Sequence, residues 1–204
     1  MPRKRKLTYW DILYRDTRVE DLPWFYKDLD PDLDRALEER DIARGSFLDI
    51  CTGPGTQAVQ LANRGFSVTG TDIAVFAIEK AEALSSDVKF VQDDMLNPKL
   101  GKRFDFIFDR GCFHTVPPTK RKQYVRSVKR LLREGGLLFL KCFSTKEPGT
   151  WGPYRVSKED IVDTFSSDFD IERMREARFS RTDGPSAHAW FVEMRKRKPK
   201  QDAR

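Results

Sequence analysis

Phe47-Leu48-Asp49-Ile50-Cys51-Thr52-Gly53-Pro54-Gly55-Thr56 is the stretch on which the fold turns. Apolar residues run into an acid, Asp49, and then into a tight Gly53-Pro54-Gly55 turn. A helical pattern, Gln57 to Ala62, follows at once. This is the layout of a buried strand feeding a phosphate- or nucleoside-binding loop at a helix N-terminus. Glycine serves there because the turn needs a positive φ, or because a ligand approaches the backbone too closely for a Cβ. Ordinary strand-to-helix turns share the pattern, so the residues downstream decide.

Downstream, strands and helices alternate. Strands are expected at about 46–51, 66–72, 88–91, 104–108 and 137–143, with a closing pair at 169–171 and 189–194. Helices are expected at about 56–64, 74–84 and 119–132, and from a Ser157 cap through Phe165. Upstream, Asp30-Pro31 opens a helix with Leu33, Ala36 and Leu37 on one face, ended by Gly45. The alternation predicts a single-domain α/β fold: a doubly wound, Rossmann-like, mainly parallel sheet of seven strands. Such sheets bind ligands beyond the carboxyl ends of their strands, at the topological switch point. Asp49, Asp72, Asp93-Asp94 and Asp109 all fall at strand ends.

Asp72 lies 17 positions after Gly55. An acid there accepts hydrogen bonds from both ribose hydroxyls of a nucleoside; it can equally cap the helix that starts at Ala74. Asp94 ends the third strand, where a carboxylate can accept from an adenine amino group, with Asp93 as competitor and a simple turn acid as the plain alternative. Gly53-x-Gly55-x-x-Ala58 also satisfies a nicotinamide dinucleotide pattern. About 60 residues follow the fifth strand, little for a dehydrogenase substrate domain, which favours S-adenosylmethionine.

The chain has 204 residues, 39% hydrophobic and 34% charged, which predicts a modest core under a heavily charged surface. No stretch approaches the roughly 20 apolar residues of a membrane span. MPRKRK is not followed by an apolar run, so a cytoplasmic protein is expected. Of the net charge of +6, Arg3 to Lys6 supply +4 and the stretch Arg195 to Arg204 supplies +5, so residues 7–194 carry −3. The basic character is thus terminal, and the ends read as solvated tails. Residues 1–30 form a basic tail and aromatic leader, 31–195 the domain proper, and 196–204 a second tail. Tyr9, Trp10, Tyr14, Trp24, Phe25 and Tyr26 make the leader either a lid over the ligand or a cover for the sheet edge. Cys51, Cys112 and Cys142 lack metal-ligand spacing and read as buried thiols; with two histidines, no metal site is expected. Lys120, Arg121, Lys122, Arg126, Lys129, Arg130 and Arg133 share a helix with an apolar face, so a solvated surface explains them better than nucleic acid does.

FLDICTGPGTQA, VTGTDIA, FVQDD, FDFIFDRGCFHTVPP and LLREGGLLFLKCFS together resemble the motif series of class I S-adenosylmethionine-dependent methyltransferases. The early Tyr9-Trp10-Asp11, Pro23-Trp24, Asp109-Arg110-Gly111 and Pro153-Tyr154-Arg155-Val156-Ser157 are similar to the thiopurine and tellurite-resistance-type group of small-molecule methyltransferases. The resemblance covers about residues 8–195. It departs where Cys51 replaces the first glycine of an Asp-x-Gly-x-Gly-x-Gly loop. It implies that Asp49 and the loop Cys51, Thr52, Gly53 to Gly55 hold the methionine part of the cofactor. Asp72 with Ile73 would then hold the ribose side, and Asp93, Asp94 and Met95 the adenine. Asp109 would lie by the sulfonium, and Trp10 and Trp24 would close over it.

Methyl transfer from a sulfonium is an in-line displacement that asks the protein for alignment and dryness. A thiolate or other soft anion needs a positive pocket, for which Arg110 and Arg155 are the candidates. A hydroxyl or amine needs a base, for which Asp109 and His114 are available. Each also has a plain structural role: ion-pair partner for Arg110, turn cap for His114. The expected acceptor is a small molecule such as a thiol, thiopurine-like heterocycle, or selenium, tellurium or halide species. A protein lysine, or a protein that binds the cofactor without turnover, are the alternatives. Oligomeric state is not readable from these patterns.

Overall fold

Strand β5 (Leu132–Phe143) shows why the sheet is buried on both faces. Leu138, Leu140 and Cys142 enter one apolar cluster, Leu137 and Phe139 another, as the two-residue period of a strand dictates. The computed structural model describes residues 7–150, 152–180 and 186–198. β1 (Ser46–Ile50), β2 (Ser67–Asp72), β3 (Lys89–Gln92), β4 (Phe104–Arg110), β5, β6 (Phe169–Phe179) and β7 (Ala187–Lys196) form one seven-stranded sheet in the order β3-β2-β1-β4-β5-β7-β6. Only β7 runs against its neighbours. Helices α5 (Arg121–Leu131) and α6 (Lys158–Phe165) cover one face through Tyr124, Val128, Ile161 and Phe165. Helices α2 (Pro31–Glu39), α3 (Thr56–Asn63) and α4 (Val75–Leu84) cover the other through Leu33, Leu37, Leu61 and Ala81. The expected doubly wound, mainly parallel architecture is therefore the one observed. No described helix is long and apolar enough to cross a membrane.

Several expectations need correction. Strands β6 and β7 are far longer than 169–171 and 189–194. β6 is an edge strand whose charges pair with neighbours, Glu172 with Arg195 and Glu176 with Lys146, so its charge pattern hid it. Gly45 does not end α2, which stops at Glu39; it opens β1, where a Cβ would come within 2.6 Å of the Phe106 ring. Finally, the basic C-terminal stretch begins inside the sheet. The Lys196 amine is buried and donates to the Leu132 carbonyl at 2.9 Å, and Arg197 pairs with Asp170 at 2.8 Å. Arg3 to Lys6, Lys200 and Arg204 lie outside the described residues.

On α5, Lys122 and Arg126 are exposed as expected, but Arg121 is buried. Its guanidinium lies 5.1 Å from the Phe113 ring centroid and 3.6 Å from Asp160. The leader is not unstructured either. α1 (Tyr9–Asp16) carries a capping box between Thr8 and Asp11.

Candidate active site

The site is built at the carboxyl ends of the paired strands β1 and β4, the switch point of the sheet. Gly55 adopts φ +82° as the N-cap of α3, and a Cβ there would meet Phe90 at 2.7 Å and Ala81 at 2.8 Å. That close approach, not ligand contact alone, demands glycine. Cys51 adopts φ +51°, the left-handed conformation that the glycine of the related loops would take without strain. Its sulfur is bonded to Cys112, on the loop after β4. Buried thiols were expected at all three cysteines; only Cys142 is one, and burial pushes its pKa up. Spacing could not reveal the bond, because two loops 61 residues apart meet only when β1 pairs with β4.

A cavity of ≈ 200 Å³ opens between these loops, bounded by Trp10, Tyr14, Cys51, Asp72, Asp94 and Cys112 among others. Asp72 accepts the Gly53 N–H at 3.0 Å and the Ala74 N–H at 2.9 Å, so capping and facing the cavity combine in one side chain. Ile73, 38% exposed, and the buried Met95 add apolar walls. Asp94 is exposed at the rim and accepts the Leu96 N–H. Asp93 also borders the cavity and accepts the backbone N–H groups of Asp94, Lys99 and Leu100, so it shapes the turn that presents Asp94. Asp49 takes the Thr52 hydroxyl, and neither residue lines the cavity. They brace the loop from within.

The four residues expected to act on the acceptor are all engaged elsewhere. Asp109 is fully buried and accepts the N–H groups of Gly111, Cys112 and Phe113 and the Tyr124 hydroxyl. It organises the loop after β4. Arg110 donates to Asp30 at 2.8 Å and to the carbonyls of Trp24 at 2.9 Å and Ser180 at 2.8 Å. Arg155 donates to the carbonyls of Pro148 and Pro153. Neither guanidinium is an open anchor for an anion. His114 is buried, and its Nδ1 accepts the Phe143 N–H at 2.9 Å, which places the ring proton on Nε2. Burial, with the nearby Arg155 charge, lowers its pKa to about 3, so it is neutral and a poor base. In the leader, Trp24 packs edge-on against Trp10 and Tyr14, each at 5.9 Å, but does not line the cavity. Tyr14 does, and sequence reasoning missed it. The signal was there: Trp10 and Tyr14 are four apart and share a helix face.

A family model for a methyltransferase domain matches residues 47–136. The human EEF1A lysine methyltransferase 2 is 31% identical over 84% of this chain and 78% of its own length. A probable thiol methyltransferase 2 of Arabidopsis thaliana is 27% identical over 66% of this chain and 62% of its own. A solved S-adenosylmethionine-dependent methyltransferase of Anabaena variabilis superposes with a TM-score of 0.74 at 22% identity, covering 92% of this chain and 93% of that one.

The chain belongs to the class I S-adenosylmethionine-dependent methyltransferases. The residues present fit that cofactor. Asp72 is a buried carboxylate on the cavity wall at the carboxyl end of β2, beside the apolar Ile73 and Met95. The electrostatics fit as well. Burial raises Asp49 to about 7 against the Thr52 hydroxyl, with the Asp109 charge adding. Burial likewise raises Asp72 to about 6 against the Ala74 and Gly53 N–H groups, and Asp109 to about 6 against Tyr124 and its backbone donors. Of these three desolvated acids Asp72 is the one on the cavity wall, where a cationic ligand would be favourable.

A pH dependence follows. With its folded pKa near 7, Asp49 holds a proton that the unfolded chain has released from about pH 4 upward. That group favours the folded state at low pH, and the advantage is lost as pH rises toward 7. Relative to Asp49→Asn, the ligand-free wild type should lose stability between pH 5 and pH 8 in urea titrations. A flat difference between the two proteins across this range contradicts the assignment.

Proposed function

We propose that this methyltransferase acts on a small molecule that arrives as a soft, already ionised nucleophile, a thiolate foremost. The observation that carries the reading is the state of the candidate bases: Asp109 and His114 are both committed to protein hydrogen bonds. Methylating an alcohol or an ammonium requires a group to take a proton, whereas a thiolate requires none. The similarity to a plant protein named as a thiol methyltransferase supports the same class. In this reading Asp72 holds the ribose hydroxyls, Asp94 the adenine amino group, and Ile73 and Met95 the adenine faces. The Gly53–Gly55 loop holds the methionine part. Trp10 and Tyr14 offer their rings to the sulfonium, which supplies the transferable methyl group, and exclude water from it.

Replacing Asp72 with alanine should weaken S-adenosylhomocysteine binding by about 10- to 100-fold, the range for loss of charge-assisted hydrogen bonds. Calorimetry reads this directly, and unchanged affinity would remove Asp72 from the site.

Similarity at 31% to a lysine methyltransferase favours a second reading, in which a protein side chain is the acceptor. The separating experiment measures S-adenosylhomocysteine release across small thiols, thiopurines, selenite, tellurite and iodide, beside lysate protein and RNA. Turnover on a thiol or chalcogen supports the first reading. Labelling confined to protein sinks it. A cytoplasmic setting belongs to the same proposal, although the Cys51–Cys112 bond argues for an oxidising one.

A further inference from the structure

Arg110 ends β4 at the mouth of the switch point, and its donors are shared among three separate elements. One reaches Asp30, the N-cap of α2; one reaches the Trp24 carbonyl in the leader; one reaches Ser180 after β6. Between α1 and α2 the leader has no helix longer than the three-residue turn Val19–Asp21, so tethers must set its position. Gln57, in the first turn of α3, supplies another. Its amide donates to the Asp28 carbonyl at 2.9 Å, and its oxygen accepts the Asp30 N–H at 2.8 Å. At the far end, Asp11 accepts the Val75 N–H at 2.9 Å and docks α1 on the start of α4. Trp24 then packs against Trp10 and Tyr14, the two leader residues that line the cavity.

We propose that Arg110 is a positioning residue: through the Trp24 carbonyl it fastens the aromatic leader over the cavity and so sets cofactor affinity, without touching the acceptor. The proposal rests on the reading that Trp10 and Tyr14 face the cofactor. A planar guanidinium can serve three acceptors that diverge in this way; a lysine ammonium on a flexible stem cannot hold the same fork. Loss of Arg110 need not unfold the protein, because the Lys141 amine still contacts both Asp30 oxygens at 2.8 Å.

The test uses Arg110→Lys and Arg110→Met in the full chain, with S-adenosylhomocysteine as probe, so no acceptor is needed. Calorimetry gives the dissociation constant, and hydrogen–deuterium exchange of the ligand-free proteins reports on residues 7–26. Both variants should bind S-adenosylhomocysteine more than tenfold more weakly than wild type, with exchange accelerated in 7–26 and unchanged in β4 and β5. Affinity within tenfold of wild type for either variant overturns the proposal, as does exchange that rises equally through β4 and β5. Should both variants fail to fold, Gln57→Leu cuts a second tether of the leader and is judged by the same two outcomes. Absence of binding by the wild type would instead strike at the cofactor site itself.

Discussion

Lys141→Met is expected to cost about 3–5 kcal/mol of stability, the range for removing one partner from a buried ion pair. Lys141 lies on β5, fully buried, on the face that points to α2. Its amine contacts both oxygens of Asp30 and one of Asp32, all at 2.8 Å. With Arg110 the set is two acids and two bases, so the buried charge balances. Burial would by itself raise the Asp30 carboxyl, yet the Lys141 and Arg110 charges hold it below its usual value. Methionine fills the volume but leaves Asp30 with Arg110 as its buried cation and Asp32 with only the half-exposed Arg35 at 3.7 Å. Urea denaturation should show the midpoint falling with little change in slope. Adding Asp30→Asn to Lys141→Met should recover more than ~1 kcal/mol, because the uncompensated charge goes with it. If the double variant is no more stable than the single one, the loss is packing and the charge argument fails.

Breaking the Cys51–Cys112 bond is expected to cost about 4 kcal/mol by loop-closure entropy, with measured disulfides usually at 2–4. The bond closes a loop of 61 residues that contains β2, β3 and β4, so its reduction frees a large part of the unfolded chain. Titrating thiols in the denatured, unreduced protein should find one, Cys142, and a dithiol reductant should raise the count to three. The melting temperature should fall in the same reduced sample. Three thiols before reduction would show that the bond does not form in the protein as made.

The local pattern of the chain determined the elements and the fold class. A run such as Phe47–Thr56 needs only its neighbours to be read as strand, turn and helix. Burial on both faces then forces parallel strands with helices above and below. The acids at strand ends followed, because alternation places those ends together whatever the detailed packing. Tertiary structure alone decided what each polar group does. Arg110 is a tether and not an anchor because Trp24 and Asp30, more than 75 residues away, reach it first. His114 is neutral because burial, with the Arg155 charge nearby, disfavours its protonation, while the Phe143 N–H occupies its Nδ1. Cys51 is bonded because pairing of β1 with β4 brings Cys112 alongside. A polar side chain's role is set by which partners surround it once water is excluded, and those partners come from distant parts of the chain. Periodicity carries the fold; partnership carries the site.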